Sequence, residues 1–196
     1  FGSFNRPKKI NDYVIKVWAE ILKQYPESRL LLGFMTDDEM IASMKKRFLK
    51  LGIQADRLLF RGLVDLEVYL GFHHDVDILL DAFPYTGGTT TNHGAWMGVP
   101  TLTLSGETVA GQQGVDIMRS FGLDEFVVTD EQRYIETALY WRDHFAELNA
   151  IRQSMRGRIP TENDKDFNVA ATFDRALREA WGLYCRGEAP RSMLVE

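Results

Sequence analysis

The residues best suited to chemistry lie in one run, Phe83-Pro84-Tyr85-Thr86-Gly87-Gly88-Thr89-Thr90-Thr91-Asn92-His93-Gly94. A glycine pair lets backbone approach a ligand closely, and three threonines then open a short helix that should end at Gly98. The open end of such a helix presents unpaired N–H groups, the positive end of the helix dipole and, here, hydroxyl donors. That combination suits an anion, and a diphosphate is the expected guest. A second segment, Asn5-Arg6-Pro7-Lys8-Lys9, directly follows a strand-like start, Phe1-Gly2-Ser3-Phe4. A lysine in that loop can reach a phosphate held by the glycine–threonine turn. If a sugar–phosphate bond breaks there, charge grows on the departing diphosphate, and a fixed ammonium with helix amides stabilises it preferentially.

Each segment also has a plainer reading. Gly-Gly-Thr-Thr-Thr fits a tight turn with a threonine cap, and Lys8 and Lys9 fit a solvated surface pair. Joint placement at one sheet edge is what favours the ligand reading. Neither Gly-x-Gly-x-x-Gly nor Gly-x-x-x-x-Gly-Lys-Ser/Thr occurs, which weakens dinucleotide and P-loop readings.

The elements that must carry these segments alternate. Asn11 or Asp12 caps a helix with Val14, Trp18, Ile21 and Leu22 on one face, and residues 29–34 read as a buried strand. Thr36 and Glu39 form a capping box for a helix carrying Met40, Met44 and Phe48, stopped by Gly52. Strands are expected at 57–60, 76–81, 101–104 and 125–128, with helices at about 65–73 and 111–121. A second capping box runs from Thr129 to Gln132, and beyond residue 130 the chain should be mainly helical. The last helix spans about 167–185, with Phe173, Leu177, Ala180, Trp181 and Tyr184 at helical spacing. Strand and helix alternating through short connections predict an α/β doubly wound parallel sheet, Rossmann-like. Ligands of such sheets sit beyond the carboxyl ends of the strands.

A chain of 196 residues suffices for one α/β domain with a full core. Its formal charge of -5 argues against non-specific nucleic-acid or anionic-membrane partners, and no apolar run approaches the roughly 20 residues a bilayer crossing needs. The single cysteine, Cys185, has no internal disulfide partner, which favours a reducing, cytoplasmic setting. Phe1-Gly2-Ser3-Phe4 reads as the end of a strand already under way, so the chain is expected to be the C-terminal piece of a longer protein.

Several of these motifs together resemble the C-terminal half of the catalytic region of O-linked N-acetylglucosamine transferases, the family that includes the plant SPINDLY-type proteins. They are Phe4-Asn5-x-x-x-Lys9-Ile10, the run from Asp75 to Asp81, Gly87-Gly88-Thr89-Thr90, Trp96-x-Gly98-x-Pro100 and Gly106-Glu107-Thr108. The likeness continues to the tail, Trp181-x-x-Tyr184-x-x-Gly187-x-x-Pro190. It implies a GT-B enzyme of two facing Rossmann-like domains, this chain being the donor-binding one over residues 1–165. Residues 166–196 would form a closing helix and tail that pack on the domain or cross to the other half. It implies a UDP-sugar donor, a protein serine or threonine acceptor, upstream tetratricopeptide repeats, and no metal or other cofactor. Lys9 matches the lysine on the donor diphosphate, and Thr89 and Thr90 match the threonines that hold the phosphates. Asn5, Arg6, Gly87, Gly88 and Thr91 complete that end of the site, and the backbone near Val64 matches the segment that meets the base. The acceptor side and any general base would come from the other half, so this piece alone is expected to be inactive.

The chain also departs from that pattern. His93 stands where animal members place a carboxylate for the ribose hydroxyls, Leu66 and Tyr69 stand where basic residues meet uridine, and Arg6 replaces a glutamine near the diphosphate. Base and sugar are therefore open. A sugar-nucleotide epimerase, a transferase with another donor or acceptor, and a degenerate nucleotide-binding module are the rival readings. Glu107 could touch sugar hydroxyls or cap the next helix. His73-His74-Asp75 is read as a helix-end turn and not as metal ligands, since neighbouring histidines diverge.

Overall fold

The computed structural model describes residues 1–159 and 169–193. Six parallel strands form its sheet: β1 (Gly2–Ser3), β2 (Leu30–Leu32), β3 (Leu58–Phe60), β4 (Leu79–Leu80), β5 (Thr101–Leu104) and β6 (Val127–Val128), in the spatial order β3-β2-β1-β4-β5-β6. The chain winds outward from β1 in one direction through β2 and β3, then returns to pair β4 against the other edge of β1 and continues to β5 and β6. This is the order in which a crevice opens beside the central strands where the winding reverses. Here that crevice lies between the segments leaving β1 and β4.

Because successive strand side chains face opposite ways, the sheet buries two apolar layers. Leu30, Leu32 and Leu80 join the larger one with Trp18, Phe48, Phe126 and Tyr134, while Leu31 and Leu79 face Phe4, Tyr69, Val76 and Val99. Helix α1 (Asp12–Gln24) begins where the Asn11 side chain accepts a hydrogen bond from the Val14 amide, and it buries Val14, Trp18, Ile21 and Leu22 as its spacing requires. Helices α2 (Asp38–Leu49), α3 (Leu66–Gly71), α4 (Thr89–Trp96), α5 (Val109–Ser120), α6 (Glu131–Asp143) and α7 (Phe145–Met155) complete residues 1–159.

Both capping boxes are displaced by one residue. Asp37, not Thr36, receives the Met40 amide at 2.7 Å, and Asp130, not Thr129, receives the Arg133 amide at 2.8 Å. A carboxylate next to a threonine is the better acceptor for a helix's free N–H groups, so it takes the cap. Regular pairing is also shorter than the apolar runs. Residues 76–81 are buried almost throughout, but only Leu79 and Leu80 pair as strand, against Gly2 of β1 and Thr101 and Leu102 of β5.

Residues 160–196 form a separate unit, whose described part is α8 (Val169–Cys185) and the turn after it. Phe173, Leu177, Trp181 and Tyr184 lie along α8 and are all exposed. The expected domain boundary at residues 165 and 166, and the helix start at residue 167, fall outside the described residues. Among the described residues no helix is long and apolar enough to cross a membrane.

Candidate functional site

A cleft of about 1100 Å³ opens at the carboxyl ends of β1 and β4, between the 5–11 loop, the 83–90 turn with the start of α4, and the 63–69 segment. Two loops far apart in sequence meet in it. The Lys9 ammonium donates to the Thr86 carbonyl at 2.7 Å and sits 3.7 Å above the Tyr85 ring. Burial lowers its pKa, the nearby Asp81 carboxylate pulls it partly back, and the Arg6 charge lowers it a little further. An ammonium has three donors. One is spent on Thr86, which leaves charge and donors for a ligand.

The turn itself is held from beneath. Thr86 is fully buried; its hydroxyl donates to the Ala110 carbonyl at 2.9 Å and accepts the Gly114 amide at 3.1 Å, both on α5. Asp81, also fully buried, accepts from the Gly87 amide at 2.7 Å. After this anchored turn, Gly88 occupies the N-cap of α4 and contributes no side chain to it. The first amides of α4 are thereby left for a ligand, with Thr89 exposed and Thr90 half-exposed beside them. An oxyanion seated there gains the helix dipole and, across the cleft, the lysine.

At the other end the wall is apolar and aromatic. Phe34, with a positive φ of 60°, stacks on Tyr69 at 5.4 Å between ring centroids. Exposed Leu63, Val64 and Leu66 continue the wall. Half-buried His93 projects from α4 with Nδ1 3.4 Å from the Tyr69 hydroxyl, and burial lowers its pKa, keeping the ring neutral near pH 7. Tyr69 is pushed to a high pKa by burial and stays a phenol. Neutral imidazole and phenol can each donate and accept, the chemistry that suits a ribose hydroxyl.

Of the residues singled out in the sequence, Asn5, Arg6, Lys9, Val64, Gly88, Thr89, Thr90 and His93 line the cleft. Gly87, Thr91 and Glu107 do not. The Gly87 amide is turned inward to Asp81, Thr91 is 2% exposed and faces the core, and Glu107 stands exposed on the loop before α5. Thr108, not Glu107, caps α5. Asn5 reaches the cleft but its amide donates to Asp81 at 3.0 Å, so its first task is to brace the turn. Asp81, Tyr85 and Gln113 escape the sequence reading as site residues, while Tyr69, read there as standing at a uridine-contact position, does line the cleft. A signal existed for Asp81, an acidic residue ending an apolar strand just before a glycine turn.

Known proteins resemble the chain over its whole length. The chain is 35% identical to the probable UDP-N-acetylglucosamine–peptide N-acetylglucosaminyltransferase SPINDLY of Arabidopsis thaliana, over 100% of this chain and 22% of that protein. It is 26% identical to the corresponding SEC protein of the same plant, over 100% of this chain and 20% of that one. A solved Thermobaculum terrenum O-GlcNAc transferase, a lysine-to-methionine mutant, superposes with a TM-score of 0.87 at 29% identity, over 96% of this chain and 37% of that one. A putative UDP-N-acetylglucosamine 2-epimerase from Listeria monocytogenes shares the fold, with a TM-score of 0.51 at 14% identity. The chain thus spans about a fifth of the length of the curated relatives it matches. With the family model matched over residues 1–171, the chain belongs to glycosyl transferase family 41.

Proposed function

We propose that this chain is the donor-binding half of an inverting glycosyltransferase that moves a sugar, N-acetylglucosamine, from a UDP-sugar to protein serine or threonine hydroxyls. The observation that carries the reading is the Lys9 ammonium, fixed 2.7 Å from the Thr86 carbonyl and thus at the mouth of the open α4 N-terminus. In this reading Lys9 and the amides and hydroxyls of Thr89 and Thr90 take up the charge of the leaving diphosphate, the task a divalent metal performs elsewhere, so no metal is assigned. The acceptor, the general base and substrate-selecting tetratricopeptide repeats belong to the rest of a longer protein. A single exposed thiol, Cys185, fits a reducing cytoplasm.

The apolar wall of Leu63, Val64 and Leu66 favours a second possibility, that the donor carries a base other than uracil. Thermal-shift measurement with UDP-, GDP- and dTDP-sugars separates the two. A ligand at 100 times its Kd adds about 2.7 kcal/mol, roughly 5–10 °C for a unit of this size. The largest shift with a UDP-sugar supports the first reading, and the largest with a GDP- or dTDP-sugar keeps the site but changes its donor. No shift with any diphosphate at millimolar concentration defeats both.

A further inference from the structure

The peptide group between Thr86 and Gly87 is gripped at both ends. Its carbonyl accepts from the Lys9 ammonium at 2.7 Å, and its N–H donates to Asp81 Oδ1 at 2.7 Å. Cation and carboxylate therefore align one peptide dipole between them. The orientation of that plane fixes where the chain leaves for Gly88 and the first turn of α4.

Asp81 does more than close this turn. The same Oδ1 accepts from the Ala82 amide at 2.9 Å and from Asn5 Nδ2 at 3.0 Å, while Oδ2 accepts from the Thr103 hydroxyl of β5 at 2.9 Å. One buried side chain thus ties the exit of β1, the exit of β4 and the interior of β5. Room for it depends on missing side chains: a Cβ on Gly114 would collide with Oδ2, and one on Gly87 would come within 3.2 Å of Oδ1. Burying a carboxylate without a full partner set is costly. Four N–H or O–H donors converge here, and the Lys9 charge adds its own attraction.

We propose that Asp81 is a positioning residue for the diphosphate: it locks the Thr86–Gly87 peptide plane so that the α4 amides stay aimed into the cleft whether or not a ligand is bound. The ligand in this inference is that of the donor reading above. In the free protein the lysine and the aspartate share the task of holding the plane. In the bound protein Lys9 keeps Thr86 with one donor and offers its others to the phosphate, while the aspartate holds the N–H end of the plane throughout.

The test compares Asp81→Ala, Asp81→Asn and Thr103→Val in the 196-residue chain. Hydrogen exchange of the Gly87 amide is measured by NMR, and affinities for UDP and for uridine by calorimetry. Thr103→Val removes the partner of Oδ2 and lowers the melting temperature, but leaves the Gly87 bond in place. Asp81→Ala is expected to speed Gly87 exchange at least tenfold beyond the change in the slowest core amides, and to weaken UDP at least tenfold with uridine unaffected. Asp81→Asn keeps an acceptor oxygen toward the turn and should restore most of the Gly87 protection. The proposal is overturned if Gly87 exchange in Asp81→Ala tracks global stability as it does in Thr103→Val. It is equally overturned if a folded Asp81→Ala binds UDP as tightly as the parent. A parent chain that binds no UDP would instead sink the donor reading, and Gly87 exchange would still decide whether Asp81 holds the turn.

Discussion

Removing the Lys9 ammonium is the sharpest perturbation of the site. Its nitrogen already sits 2.7 Å from the Thr86 carbonyl and over the Tyr85 face, so little ordering remains when a phosphate arrives. A hydrogen bond from a charged donor contributes roughly 1.5–3 kcal/mol. Lys9 is half-exposed, so solvent screens part of this and the lower half of the range applies. Tenfold in affinity per 1.4 kcal/mol then gives a UDP affinity loss of about 10- to 40-fold in Lys9→Ala. Under the proposed donor reading, the loss in rate in a full-length protein should be larger, about 10²–10³-fold, because charge on the leaving diphosphate grows toward the transition state. Calorimetry with UDP and with uridine isolates the phosphate contribution, and circular dichroism checks that the turn survives. Uridine affinity should not change. A folded Lys9→Ala that binds UDP like the parent would refute the reasoning outright, since among the described residues no other lysine or arginine donates to this turn's backbone.

Stability against pH should show two opposing slopes. Burial raises Asp81 from 3.8 to about 6, so between about pH 4 and 6 the unfolded state sheds this proton first and stability falls as pH rises, by about 3 kcal/mol in all. Burial lowers His73 from 6.5 to about 4, so over about pH 4 to 6.5 the unfolded state holds the extra proton and stability rises, again by about 3 kcal/mol. Urea unfolding across pH 4–7 should therefore give a shallow profile for the parent chain, a steep climb for Asp81→Asn and a decline for His73→Phe; three parallel curves would contradict both shifts. At Gly87 an alanine Cβ would strike the Thr91 hydroxyl and lie 3.0 Å from that of Thr90, so Gly87→Ala should cost about 1–3 kcal/mol in thermal melts and weaken UDP as the turn deforms. Unchanged melting and binding would show that the turn relaxes freely.

The α/β class and the meeting of the two loops were legible because hydrophobic runs, glycines and caps are local signals. Thr101–Leu104 is strand over its full expected length, and Asn11 caps α1 as read. What escaped depended on neighbours far along the chain. Asp81 looked like the polar end of an apolar strand; its importance comes from Thr103, Gly114 and Asn5, which only the folded sheet brings around it. Tyr85 reads as a turn residue until Lys9 is placed over its ring. The inward turn of the Gly87 amide could not be told from an outward one without the carboxylate beneath it.

The spatial order of the strands has a kinetic corollary. Lys9 and Thr86 are 77 positions apart, and they become neighbours only once β4 has slotted in beside β1, after the whole β2-to-α3 excursion has closed. Closing so long a loop costs entropy, and the pocket can form no earlier than the pairing of β4 with β1. A nucleotide added during refolding would therefore capture only chains whose central strands have already found each other, and its heat of binding would report that pairing.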